Sequence, residues 1–148
     1  MNTIERAVIS DAPELLSLQK LAFISVAELE GYEILPLTQT VEDVEKAFDQ
    51  HVILKYVVDG KIIGSVRAHQ EGDTCHISRL MVHPKAENRG IGKALMSEIE
   101  GLFPGTRMEL FTATINKKNI SFYQKLGYRG YKEAKLPGIE TLFLFMEK

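Results

Sequence analysis

Cysteine is nearly missing from this 148-residue chain, occurring only at position 75, so no internal disulfide can brace the fold. No basic excess is present either. With 18 Lys and Arg against 20 Asp and Glu, the net charge is −2, which argues against a nucleic-acid partner whose phosphates need a basic face. The longest apolar runs, such as residues 142–146, are strand-sized, so no membrane partner is expected. Neither a charged n-region nor a long apolar h-region opens the sequence, and a cytoplasmic location is expected. No His/Cys cluster has metal-ligand spacing along the chain, so no metal is expected. No repeat, low-complexity tract or linker interrupts the sequence, and a single domain over residues 1–148 is expected. A domain of this size buries roughly 68–70% of its unfolded surface, enough for a core held by packing alone.

Residues 3–9 read as a short strand, followed by a helix capped by Asp11 with Pro13 in its first turn and Leu15, Leu18, Ala22, Val26 and Leu29 at helical spacing. Residues 30–40 carry Gly31 and Pro36 and read as a loop, after which Thr40 caps a second helix with Val41, Val44, Ala47 and Phe48. From His51 the period changes to two. Strands at 51–58 and 61–70 flank an Asp59-Gly60 turn, and Gly72-Asp73 turns into a strand at 74–82. Ile91, Leu95, Ile99 and Leu102 mark a helix stopping near Pro104-Gly105; a strand at 108–115 follows. Asn116 then caps a helix ended by Gly127, and strands at 128–135 and 141–146 complete the chain. The predicted architecture is α/β, a mixed, mostly antiparallel sheet of about seven strands with about four helices and one parallel crossover at the helix after Gly90.

The segment V-H-P-K-A-E-N-R-G-I-G-K-A-L, residues 82–95, runs from a strand end through a basic, glycine-bearing turn into that helix. A helix N-terminus offers unpaired N–H groups and the positive end of a dipole; Gly90 and Gly92 clear side chains from the approach, and Arg89 and Lys93 add charge. This predicts a pyrophosphate cradle. A dinucleotide fingerprint would need a third glycine where Leu95 stands, and a Walker loop needs four residues between its glycines where only Ile91 separates Gly90 from Gly92.

Three segments in this order resemble the GNAT superfamily of acetyl-CoA-dependent N-acetyltransferases. E-N-R-G-I-G, residues 87–92, is similar to the family's pyrophosphate loop; I-S-R-L-M-V-H-P, residues 77–84, to the strand leading into it; and N-K-K-N-I-S-F-Y-Q-K-L-G-Y, residues 116–128, to the family's N-x-x-A-x-x-F-Y-x-K-x-G-F/Y segment. The resemblance implies a GNAT-like fold and acetyl-CoA as co-substrate. It places the pantetheine arm along Leu80, Met81 and Val82, whose backbone would pair with it as with another strand. The diphosphate would lie at Glu87, Asn88, Arg89, Gly90, Ile91, Gly92 and Lys93. Glu87 stands where the family usually carries Gln or Arg, so phosphate binding is expected mainly from backbone N–H groups of residues 88–93. Asn116 would cap its helix or bond the pantetheine arm. Tyr123 falls on the family's tyrosine that protonates the departing thiolate.

Direct acetyl transfer needs a neutral amine, a stabilised oxyanion and a protonated leaving thiolate. An amine with a pKa of about 10.4 must lose a proton first. His76 is the leading candidate base: alternation puts it on one face with Ser78, Leu80 and Val82, and by the resemblance it matches a position where some members carry a glutamate base. A packed structural histidine is the plain alternative, and His69, Glu71 or a water relay from Ser78 are others. The N–H near Leu80 is a candidate oxyanion donor. Cys75 points away from His76, which argues against an acyl-enzyme.

The leading function is therefore transfer of acetyl from acetyl-CoA to a primary amine, of a small molecule before a protein N-terminus or lysine. A non-catalytic acyl-CoA sensor and a general nucleotide binder are the rivals. The acceptor side is expected from residues 27–40 with the C-terminal hairpin at Pro137-Gly138; Tyr32, Ile34 and Leu35 would supply apolar wall, and Glu28, Glu30 and Glu33 would attract a cationic amine. A homodimer, if one forms, is expected through the terminal strands.

Overall fold

The alternation of two-residue and 3.6-residue hydrophobic periods resolves, in a computed structural model that describes residues 2–31 and 34–148, into seven strands and five helices. In chain order these are β1 Asn2–Arg6, α1 Ala12–Glu30, α2 Leu35–Thr38, α3 Val41–Ala47, β2 Val52–Val58, β3 Lys61–Glu71 and β4 Thr74–Val82. α4 Ile91–Gly101, β5 Arg107–Ala113, α5 Lys117–Lys125, β6 Arg129–Lys135 and β7 Leu142–Glu147 follow. The sheet runs β1-β2-β3-β4-β5-β7-β6, antiparallel everywhere except between β4 and β5.

Local chemistry explains most boundaries. Asp59 (φ 51) and Gly60 (φ 79) both take the left-handed conformation that a two-residue hairpin turn requires. Thr40 Oγ1 accepts from the Asp43 N–H at 3.3 Å while the Asp43 carboxylate accepts from the Thr40 N–H at 2.9 Å, a reciprocal cap for α3. Asp11 marks the start of α1, yet its carboxylate turns back to the Val8 N–H at 2.8 Å and to Lys55 Nζ at 2.9 Å. The segment expected to be loop holds α2, because Pro36 occupies the first turn, where a missing N–H removes no helical bond. Tyr32 and Glu33 lie outside the described residues.

Each face of the sheet carries a core. Val66, Cys75, Ile77, Leu95, Met96, Ile99 and Met146 pack on the α4–α5 side; Leu15, Leu18, Val44, Ile53, Ile62 and Met81 pack on the α1–α3 side. β4 changes allegiance part-way along. Its register with β3 pairs His76 with His69 and Ser78 with Arg67, then resumes with Met81 opposite Ser65. Val66 thus faces both Arg79 and Leu80, and Arg79 takes φ +52 at this bulge. Before the bulge Cys75 and Ile77 point into the α4–α5 core; after it Leu80 and Val82 do, and Met81 points the other way. The expectation that His76, Ser78, Leu80 and Val82 share one face is therefore corrected: the extra residue inverts the alternation, so His76 and Ser78 face the α1–α3 side.

The bulge sits where β4 loses its neighbour. β4 and β5 pair only at Thr74–Arg107, Cys75–Met108 and His76–Glu109, whereas β5 stays paired with β7 as far as Ala113–Phe143. From Ile77 onward the β4 edge facing β5 has no strand partner among the described residues. A cleft opens between the two.

Candidate active site

Two adjoining cavities occupy this cleft, one of about 470 Å³ against the start of α4 and one of about 580 Å³ beneath α1, α2 and the β6–β7 connection. Phe23, Val26, Leu80 and Asn119 line both, so the two form a continuous trough.

Backbone shapes the smaller cavity. Leu80, Met81 and Val82 line one side; Glu87, Asn88, Gly90, Ile91, Gly92 and Lys93 wrap the end, and Asn116 closes from α5. Asn88 (φ 62) and Gly90 (φ 81) both adopt left-handed conformations, which these two residue types tolerate best. Ala94 is the first α4 residue to bond back, to the Gly90 carbonyl at 3.0 Å, so the N–H groups of Ile91, Gly92 and Lys93 have no acceptor within the helix. Those donors and the helix dipole suit an anion. A Cβ on Gly92 would lie 3.3 Å from Phe122 Cζ, so the second glycine also admits α5 against α4. Arg89 is exposed and lines neither cavity. Glu87 faces Lys118 Nζ at 3.6 Å, which offsets the repulsion an acid would bring beside a diphosphate.

The Asn116 side chain accepts from the Asn119 N–H at 3.1 Å, capping α5, and Asn119 in turn donates to Thr112 Oγ1 at 3.5 Å. α5 carries Phe122 toward the smaller cavity and Tyr123 toward the larger. Burial pushes the Tyr123 phenol far above its ordinary value, and its hydroxyl has no hydrogen-bond partner among the described residues. It is a protonated group free to donate to something in the trough.

The larger cavity is built from segments far apart in sequence. Glu30, Ile34, Leu35 and Pro36 form one wall, Leu136 with Gly138 to Thr141 another, and Ser78, Arg79 and Leu80 the floor. Thr141 Oγ1 donates to Glu30 Oε1 at 2.6 Å and ties α1 to the β6–β7 connection. Glu28 is exposed and does not line the cavity, and Glu33 lies outside the described residues.

His76 lines neither cavity. Its ring stacks on His69 with centroids 5.0 Å apart, and Nδ1 meets Glu109 Oε1 at 3.2 Å, at the level where β4 and β5 are still paired. That is the setting of the packed histidine weighed against a base. His69 and Glu71 join it there: one ligand atom from each of the three lies within 4.8 Å of the others, a cluster that spacing along the chain concealed and hairpin pairing creates. Cys75 is fully buried in the α4–α5 core, where burial and the Glu100 charge push its thiol up to about 11, unfit for nucleophilic attack.

Arg79 and Arg67 escaped the sequence reading. Arg79 lines the larger cavity and Arg67 Nε donates to Ser78 Oγ at 3.3 Å behind it. One signal was present: simple alternation would have set Arg79 on the apolar face with Cys75 and Ile77, a conflict that a bulge resolves.

The chain is similar to known proteins in sequence and in fold. UPF0157 protein YqkA of Bacillus subtilis is 29% identical over 126 residues, covering 84% of this chain and 36% of YqkA. Peptidyl-lysine N-acetyltransferase YiaC of Escherichia coli is 39% identical over 70 residues, 47% of this chain and 44% of YiaC. The matched stretches span less than half the length of either relative. Among solved structures, the PaiA N-acetyltransferase of Thermoplasma acidophilum in complex with coenzyme A shares the fold with a TM-score of 0.74 at 19% identity, over 100% of this chain and 98% of that one. No helix among the described residues is long and apolar enough to cross a membrane. Residues 13–128, which hold the splayed strands, the α4 cradle and the α5 tyrosine, match the Acetyltransferase (GNAT) family, and the chain belongs to that family.

Proposed function

We propose that this protein transfers the acetyl group of acetyl-CoA directly to the primary amine of a small molecule within a ternary complex. The observation that carries this reading is the trough itself, whose smaller cavity ends at unpaired helix N–H groups and whose larger cavity holds the half-buried, protonated Tyr123. In this reading the diphosphate sits at the start of α4 and the pantetheine arm runs along the unpartnered edge of β4, hydrogen-bonded as an added strand. The thioester then lies near Leu80, where the two cavities meet.

The amine nitrogen attacks the thioester carbonyl carbon, an oxyanion forms, and the C–S bond breaks as the amide forms. Backbone N–H near Leu80 stabilises the oxyanion. Tyr123 donates its proton to the departing sulfur. A phenol of about 10 is a weaker acid than a thiol of about 8.5 in water, so the transfer depends on position. Burial does not oppose the transfer by itself, because a thiolate leaving into the same enclosed space is destabilised as the phenolate is. For the amine proton, Ser78 on the cavity floor is better situated than His76; its hydroxyl accepts from Arg67 yet keeps a proton and a second lone pair to relay through water.

Calorimetry with coenzyme A, followed by thiol release over amino acids, polyamines, aminoglycosides and peptides, tests the proposal. Binding with amine-dependent thiol release and an N-acetylated product by mass spectrometry supports it. Binding without turnover of any amine favours the acyl-CoA sensor, and ATP competing at comparable affinity favours a general nucleotide binder.

A further inference from the structure

The floor of the larger cavity carries more positive charge than its surroundings answer. Arg79 makes a single long hydrogen bond, Nη2 to Gln39 Oε1 at 3.4 Å, and that oxygen already accepts from Gln19 Nε2 at 2.8 Å. Its Nε is buried without any partner. Arg67, one strand over, donates only to the Ser78 hydroxyl. Neither guanidinium forms an ion pair among the described residues. Burial lowers both, Arg67 to about 10 with the Arg79 charge contributing, so the two cations destabilise each other.

Buried charges are ordinarily paired, and buried donors ordinarily bonded. Here an unmet Nε belongs to a side chain lining a cavity, carried by a backbone held at φ +52, a conformation costly for arginine. A purely structural arginine gains nothing from that arrangement; one that receives a ligand does.

We propose that the acceptor amine also carries a carboxylate, as an amino acid does, and that Arg79 binds this carboxylate on the cavity floor with Arg67 reinforcing the charge. The inference rests on the acetyltransferase reading of the same trough. A guanidinium presents its donors as a planar fork matched to the two oxygens of a carboxylate. A phosphate dianion fits less well: Arg79 is the one cationic side chain among the described lining residues, and Glu30 and Glu140 on other walls would repel a second negative charge. Those same acids suit the ammonium end of a zwitterion arriving from solvent.

Thiol release at saturating acetyl-CoA would be measured for L-amino acids, the matching amino-acid amides, and 1-aminoalkylphosphonates. Carboxylates are expected to exceed amides in kcat/KM by about 10- to 100-fold, the span of a hydrogen-bonded charge pair. Arg79→Met should erase that advantage through KM while coenzyme A binding by calorimetry stays at the wild-type value, and Arg79→Lys should restore part of it. Amides or simple alkylamines used as well as carboxylates would overturn the assignment, as would a preference for phosphonates or an Arg79→Met ratio equal to wild type. If no amine turns over, calorimetry of N-acetyl amino acids against their amides on the coenzyme A complex decides: Arg79-dependent heat with the acids alone supports it, and its absence overturns it. Loss of coenzyme A binding in the wild type would instead strike the acetyltransferase reading.

Discussion

The two halves of the trough are made of different materials. Against α4, the smaller cavity rests on a backbone construction in which residues 80–93 supply a strand edge and a helix start within one stretch of chain, with α1 and α5 side chains closing over it. Beneath α1 and α2, the larger cavity is a side-chain construction drawn from α1, the bulge in β4, β5, α5 and the β6–β7 connection. A ligand common to a family is best held by backbone groups, which a substitution does not remove. A ligand particular to one protein is best held by side chains, which change one at a time.

Tyr123→Phe should sharpen this division most, since it removes one oxygen from the larger cavity. A general acid contributes about 10²- to 10⁴-fold, and kcat should fall within that span while coenzyme A binding stays unchanged. Unchanged turnover would remove the acid and favour the sensor. Gly92→Val attacks the backbone half instead. Its branched side chain would press on Phe122, 3.3 Å from even a bare Cβ, and would crowd the first turn of α4. The coenzyme A Kd should rise by about 100-fold, corresponding to roughly 3 kcal/mol of lost contact. A Kd within threefold of wild type would show that the cradle is not where the diphosphate sits.

What was legible in the sequence follows the same division. The cradle could be read because its residues are consecutive and its glycines announce the conformation; Asp59-Gly60 and the Thr40 cap were readable for the same reason. The β4 bulge was not, since a side-chain alternation counted from His76 assumes every residue advances the pleat, and Arg79 does not. That miscount put His76 on a face with Leu80. The histidine cluster escaped for a different reason: His69 and His76 are seven positions apart in the sequence, and only hairpin register sets them opposite each other. The order of the last two strands, with β7 between β5 and β6, likewise depends on pairing across the sheet that no local signal records.

Asn116 separates packing from binding within the smaller cavity. Its side chain caps α5, so Asn116→Ala should lower stability by about 1 kcal/mol, a fall in Tm of roughly 2–4 °C for a chain of this size. Asn116→Asp keeps an acceptor for the Asn119 N–H and should recover most of that loss. If coenzyme A binding weakens in both variants while Tm recovers in the second, the side chain also touches the cofactor.

The smallest effect expected lies on the side-chain half and concerns pH. His51 is half-buried, and burial first, then the nearby Arg67 charge, holds its imidazole below the ordinary value of 6.5, despite the bond from Nδ1 to the Ala47 carbonyl at 3.0 Å. In the unfolded chain this histidine takes up its proton near 6.5; in the folded protein it does so only at lower pH. Between those two points the unfolded state binds more protons, so stability must fall as pH is lowered through that window and level off below it. The direction agrees with the charge already gathered around Arg67 and Arg79, since a protonated His51 adds a third cation there and makes no ion pair of its own among the described residues, Glu71 and Glu109 being paired with His69 and His76. Urea titrations of the wild type and His51→Gln from pH 7.5 to pH 5 would measure the difference. The variant should lose less stability on acidification, by an amount smaller than the Asn116 cap. Equal losses would mean that solvent reaches His51 freely, and that the positive charge under the larger cavity is less confined than the two half-buried arginines indicate.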